Sequence, residues 1–253
     1  MTFWHGAALA LAAAIAGAIN AVAGGGTLVS FPALVWALGD PILANATSTV
    51  ALFPASLSSM VAYRSHLAGT RRWLLLLTAP SVAGGLLGAW LLLKTPSQTF
   101  GRVVPWLVLG ATALRAFSGP LSRWTASSKA ERSRSWRSGA VAFQLVVGIY
   151  GGYFGAGIGI MMLAAFGLLG MTDIHQMNGL KCFFAFCVNA VAAVWFIQAG
   201  KVVWPQAWLM MAAAIAGGYA GAAAARALGK NFANAAVLVI GVGVGLWLLF
   251  AAK

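Results

Sequence analysis

One pattern occurs twice in this chain at a constant offset of 131 residues: a glycine cluster, a short apolar segment, then a long apolar run. Gly24 falls on Gly155, Gly26 on Gly157, Gly39 on Gly170, Gly69 on Gly200 and Trp73 on Trp204. A sequence duplicated in this way predicts two related structural units. The apolar runs fill most of both copies, so the units cannot face water. With 61% hydrophobic and 8% charged residues, the chain belongs in a bilayer.

Charge narrows the function classes. Only Asp40, Glu131 and Asp173 are acidic, against sixteen lysines and arginines, for a formal charge of +13. The basic residues cluster mainly in short gaps between apolar runs, which is the positive-inside pattern of a membrane protein and argues against a nucleic-acid partner. No Ser-His-Asp constellation can be assembled from three acids in turns or the linker. Cys182 and Cys187 fall about 140° apart around one helix, too far round for a disulfide. With neither CxxC nor HExxH spacing in the chain, no metal and no cofactor is expected.

Taken in order, residues 3–23 read as a first membrane helix. Ala21-Val22-Ala23 looks like a signal-peptide cleavage site, but no basic residue precedes the run, and the segment recurs at about 139–154. Gly24, Gly25 and Gly26 break the helix. The apolar segment that follows to Leu38 spans roughly 20 Å, the length of a half-helix against a hydrocarbon core of about 30 Å. Gly39 marks its stop. Asp40-Pro41 reads as an N-cap followed by proline at the first helical position, opening a helix to about His66. Helices are expected next at 73–93 and 103–117, then in the second copy at 139–154, 157–170, 173–199, 203–226 and 231–251. The expected organisation is a first membrane repeat at 1–118, a basic cytoplasmic linker at 119–138 and a second repeat at 139–253. Glycines four apart, Gly84 and Gly88 in one copy and Gly217 and Gly221 in the other, predict close helix contacts related by the duplication.

The basic loops set orientation. Placing the linker and the Arg64–Arg72 loop in the cytoplasm leaves the N-terminus and the Asp40 turn outside, since residues 1–63 hold no lysine or arginine. Five segments per copy then turn the second copy upside down. The predicted fold is therefore an all-α polytopic membrane protein of two inverted-topology repeats, with glycine-rich helix breaks near the repeat interface, where secondary transporters bind their cargo.

Chemistry concentrates at those breaks and at Lys181. Glycines 24, 25 and 26, and Gly155, Gly157 and Gly159, let backbone approach a ligand, and a helix restarting after such a break presents N–H groups suited to an anion. Lys181 lies about 12 Å into its helix, near the midplane, where a charge is costly without a partner or a wet cavity. Asn178 and Gln176 precede it and Asn189 follows two turns on. Asn20 stands just before the first glycine cluster. Asn45, Thr47 and Ser48 mark the corresponding region of the first copy, with Val50 at the position equivalent to Lys181. Together these residues form the expected substrate site.

The motifs N-A-V-A-G-G-G-T-L-V-S-F-P with A-N-A-T-S-T, and G-G-Y-F-G-A-G-I-G with M-N-G-L-K, resemble the TauE/SafE sulfite-exporter family of bacterial permeases. The resemblance covers both copies but not the linker. It implies a multi-pass inner-membrane transporter for a small anion, sulfite or an organosulfonate. An anion channel using the same site is the alternative, and a membrane-embedded enzyme a distant third. Oligomeric state stays open.

Overall fold

A computed structural model describes residues 3–22, 25–62, 64–67, 69–116, 134–169, 171, 173–228 and 242–243. Among these there are nine α-helices and no strand: α1 Phe3–Val22, α2 Thr27–Leu38, α3 Pro41–Ala62, α4 Arg71–Lys94, α5 Ser97–Ala116, α6 Arg134–Tyr153, α7 Ile158–Leu168, α8 Ile174–Gln198 and α9 Trp204–Leu228. The helix expected at 231–251 lies outside the described residues, except for residues 242–243.

Local chemistry explains the boundaries. Gly39 ends α2 in the left-handed region, φ 72°, where its N–H bonds the Val35 carbonyl at 2.8 Å. Asp40 then caps α3, its Oδ1 accepting from the backbone N–H of Ile42 at 2.8 Å and Leu43 at 3.1 Å. The same carboxylate accepts the Ser97 hydroxyl at 3.0 Å, tying α3 to the start of α5. That tie, with Pro96 ahead of it, explains why α5 begins at Ser97 and not at the expected 103. The helix expected to reach His66 instead stops at Ala62, and a 3-10 turn covers Arg64–Leu67. Thr70 closes this turn on the Leu67 carbonyl at 2.8 Å, and α4 starts at Arg71, two residues before the expected Trp73. α6 begins at Arg134, inside the stretch read as linker.

The helices pack by exchange between the two copies. α1 lies mainly against α9, and α4 against α6; α4 also contacts α8, and α9 contacts α3. Under the 131-residue offset α1 corresponds to α6, α3 to α8 and α4 to α9, so each of these contacts has its counterpart with the copies swapped. Glycine makes both major crossings possible. A Cβ on Gly84 or Gly88 would run into the carbonyl of Leu145 or Ile149 on α6, and one on Gly17 or Gly217 would collide with Ala214 or Ala14 across the α1–α9 seam. Lipid supplies no hydrophobic drive between helices, so close backbone approach and the dispersion it yields must hold these pairs.

Two apolar cores flank the centre. One joins Phe31, Phe100 and Phe154, with Phe31 edge-on to Phe154 at 5.3 Å. The other gathers Leu77, Met162, Phe166, Leu180 and Phe184 around α4, α6, α7 and α8. Outside, the polarity is reversed from that of a water-soluble protein: Tyr219 is 84% exposed, Trp4 78% and Leu75 73%, while Asn45, Gln144 and Lys181 are buried. Two described helical stretches are long and apolar enough for a full crossing, Arg71–Lys94 and Gln176–Gln198, with mean hydropathy 1.7 and 2.0. At 1.5 Å per residue the first spans about 36 Å.

Candidate functional site

The two helix breaks face one cavity. Gly25 (φ 116°) and Gly155 (φ 80°) adopt the left-handed backbone that ordinary side chains disfavour, and they redirect the chain between α1 and α2 and between α6 and α7. Thr27 and Ile158, the first residues of α2 and α7, occupy equivalent places in the two copies. Both line the cavity, together with Gly25, Gly155 and Gly159. The helix dipole is positive at both starts, while the N–H groups of Leu28, Val29 and Ile160 are already bonded to the carbonyls of Gly25, Gly26 and Gly157, each at 3.0 Å. Gly26, at the N-cap of α2, provides no side-chain cap. The second break is fastened from two sides: the Tyr150 hydroxyl donates to the Ala156 carbonyl at 2.8 Å, and Asn45 Nδ2 donates to the Tyr153 carbonyl at 3.1 Å.

α8 brings the charge. Lys181 is 5% exposed, lines the cavity and donates from Nζ to Asn178 Oδ1 at 3.1 Å. Its aliphatic stem runs over Gly159, where a Cβ would stand 3.0 Å from Lys181 Cδ. A side chain at 159 would press on the stem of the lysine. Asn20 from α1, Leu52 and Ser56 from α3, and Cys182, Ala185 and Asn189 from α8 complete the lining. Ser56 Oγ lies 3.5 Å from Asn20 Nδ2 and 3.4 Å from Asn189 Nδ2, both amides donating to it. The cavity measures about 40 Å³. A single water needs about 10–15 Å³ on this scale, so the space suits a few waters or one compact oxyanion head. The lining residues carry one cation and no carboxylate, and most of their polar groups can donate hydrogen bonds.

Of the residues expected from sequence, Asn20, Gly25, Gly155, Gly159, Lys181 and Asn189 meet here, and Asn178 orients the lysine. Others are engaged elsewhere. Asn45 fastens Tyr153 as above, Thr47 Oγ1 accepts the Val203 N–H at 3.1 Å, and Ser48 shares a 2.7 Å hydrogen bond with Ser30. Gln176 is half-buried in the first turn of α8, its backbone N–H bonded to Asp173 Oδ1 at 3.3 Å. Gly26 packs against Ala16, and Gly157 (φ 77°) shapes the turn before α7 without lining the cavity. Gly24 lies outside the described residues. Sequence reasoning missed Thr27, Ser56 and Cys182, as well as the apolar Leu52, Ile158 and Ala185. The available signal for Ser56 was its position three turns after Asn45 on the same face of α3.

A family model described as sulfite exporter TauE/SafE matches residues 9–248. Three curated relatives each carry the name "Probable membrane transporter protein". One from Haemophilus influenzae is 28% identical over 233 residues, covering 89% of this chain and 87% of the relative. ORF9 from Sinorhizobium sp is 26% identical, covering 95% and 91%, and YfcA from Escherichia coli K12 is 24% identical, covering 94% and 87%. No solved structure matches the chain.

Proposed function

The chain belongs to the sulfite exporter TauE/SafE family, and on that premise we propose that this membrane transporter exports a small oxyanion, sulfite or an organosulfonate, through the cavity around Lys181. The observation that carries the reading is the cavity itself, in which a buried lysine, two amides, two hydroxyls and two helix starts converge with no carboxylate among the lining residues. Such a set recognises a compact oxyanion: the lysine supplies a point charge, the amides donate to the oxygen lone pairs, and the two helix dipoles favour the negative charge. A cation would meet the like charge of Lys181 with no carboxylate in the lining to offset it.

In this reading the protein crosses the bacterial inner membrane several times, with residues 1–118 and 139–253 as inverted repeats and 119–138, whose last five residues open α6, as a cytoplasmic linker. The swapped-copy contacts of α1–α9 and α4–α6 support a two-fold relation between the repeats. Five helical segments before the linker would invert the second repeat, and the cargo site would lie at the interface where the repeats rock. No carboxylate lines the cavity to relay protons, so the membrane potential would supply the drive. An anion leaving a negative interior gains about 2.3 kcal/mol per charge per 100 mV.

Purified protein in sulfite-loaded liposomes provides the test. Efflux should saturate, support counterflow and accelerate when a potassium-diffusion potential, inside negative, is imposed at equal pH. Voltage-independent flux that follows a pH gradient would reject the electrogenic mechanism, whereas flux of unrelated small anions with no flux of sulfite or sulfonates would reject the cargo class. Large ohmic single-channel currents would identify a channel.

A further inference from the structure

Amides from the two copies meet at one hydroxyl. Asn20 extends from α1 and Asn189 from α8, and both donate to Ser56 Oγ on α3, a residue 5% exposed. The hydroxyl's own proton is directed to the Leu52 carbonyl in the preceding turn, at 3.4 Å. A hydroxyl has one proton and two lone pairs. With its proton turned toward the backbone, across a contact as long as those to the amides, Ser56 presents its lone pairs to the two amides in the empty site. It thus holds the two donors the anion needs. Its bonds to them, at 3.5 and 3.4 Å, are long compared with the usual 2.7–3.2 Å and therefore weak. An anionic acceptor would bind the same N–H groups about twice as strongly.

We propose that Ser56 is a positioning residue that competes with the cargo: it holds the Asn20 and Asn189 amides at the cavity while the site is empty and yields them to an oxyanion on entry. This rests on the cavity around Lys181 being the transport site. Affinity then reflects an exchange of acceptors. The two amides stay aimed at the cavity from opposite copies, and the hydroxyl keeps them from reaching other acceptors between turnovers.

Sulfite efflux from proteoliposomes containing Ser56→Ala tests the exchange. Removing the competing acceptor should lower KM for sulfite about fivefold, the equivalent of one ordinary hydrogen bond, and lower kcat as release slows. Ser56→Thr, which retains a hydroxyl, should keep the wild-type KM. Ser56→Cys, which installs the residue found at the equivalent position 187, should shift KM in the same direction as alanine but less, since sulfur is the weaker acceptor, and it covers the case in which the alanine variant does not fold. A KM in Ser56→Ala and Ser56→Cys that is unchanged or raised overturns the proposal; a raised value would make Ser56 a direct ligand. Lys181→Met, measured in parallel, separates the two readings. If it retains wild-type sulfite affinity the site itself is wrong, whereas if it loses affinity and the Ser56 variants are unchanged, only the competition fails.

Discussion

Val50 and Lys181 occupy equivalent positions in the two copies, and both are buried, at 4% and 5% exposure. Only one of them lines the cavity and carries a charge. Similar divergence recurs around the site, with Thr27 facing Ile158 in the alignment and Ser56 facing Cys187. The seams away from the cavity behave differently, since Gly17 and its counterpart Gly148 both stand at close backbone crossings. At that pair the duplication is retained, whereas the pairs Val50 and Lys181, Thr27 and Ile158, and Ser56 and Cys187 have diverged around the cavity. A second buried lysine at position 50 would add a like charge and another desolvation cost, so one charged wall facing a neutral one is the less costly arrangement.

The contrast breaks most sharply at Lys181. Lys181→Met preserves length and removes charge, and sulfite affinity should fall about a hundredfold, the scale of truncating a buried charged contact. Val50→Ala should leave affinity within about threefold, as expected of a buried residue that does not touch the cargo. Both are to be measured on protein that elutes as a folded species. Equal losses in the two variants would erase the distinction between the walls.

The seams should respond alike. Gly88→Val drives side-chain atoms into the Ile149 carbonyl on α6, and Gly217→Val does the same to Ala14 on α1. Each should cost about 1–3 kcal/mol of stability, the range for overpacked contacts, read as a lowered midpoint for thermal unfolding in detergent. A large cost at one seam and none at the other would show that the two crossings are not equivalent.

The smallest effect sharpens the comparison between Gly159 and its counterpart Leu28. Gly159→Ala brings a methyl to 3.0 Å from Lys181 Cδ, tight enough to shift the stem but leaving the head free to adjust. Sulfite KM should rise about threefold, from a displacement costing roughly 0.5–1 kcal/mol, with little change in thermal stability. An unchanged KM would mean that the lysine stem does not need the glycine.

Much of the frame was legible because the signals are local. Gly39, Asp40 and Pro41 end one helix and begin the next through bonds within a few residues, and the structure places those bonds as the spacing predicts. The buried lysine was legible because a charge in an apolar run demands an explanation. What escaped depends on distant partners. Ser56 looks like Ser81 or Thr78, each of which bonds the carbonyl one turn back, and such bonds are ordinary for hydroxyls in apolar helices. Ser81 also accepts the Gln144 amide of α6 at 2.8 Å, so what separates Ser56 is that two amides reach it, Asn20 and Asn189, and that it lines the cavity. The converse holds for Asn45, Thr47 and Ser48. Their polarity draws attention, but in the folded chain Asn45 Nδ2, Thr47 Oγ1 and Ser48 Oγ bond Tyr153, Val203 and Ser30, and Asn45 Oδ1 is buried without a partner.

The swapped seams also constrain the order in which this protein can be completed. Gly17 meets Ala214, and Gly84 meets Gly148, so each copy closes its largest contact only on the other. A ribosome releasing the chain from its N-terminus would deliver α1 long before α9 exists to cover it. The first copy must therefore wait in the membrane with its glycine seam facing lipid or an insertion factor. Neither copy is a self-sufficient folding unit in the sense of a domain that matures as it is made. The late arrival of α9 is the event that shuts the first seam, and contacts of such long sequence separation make final assembly slow compared with the insertion of any single helix.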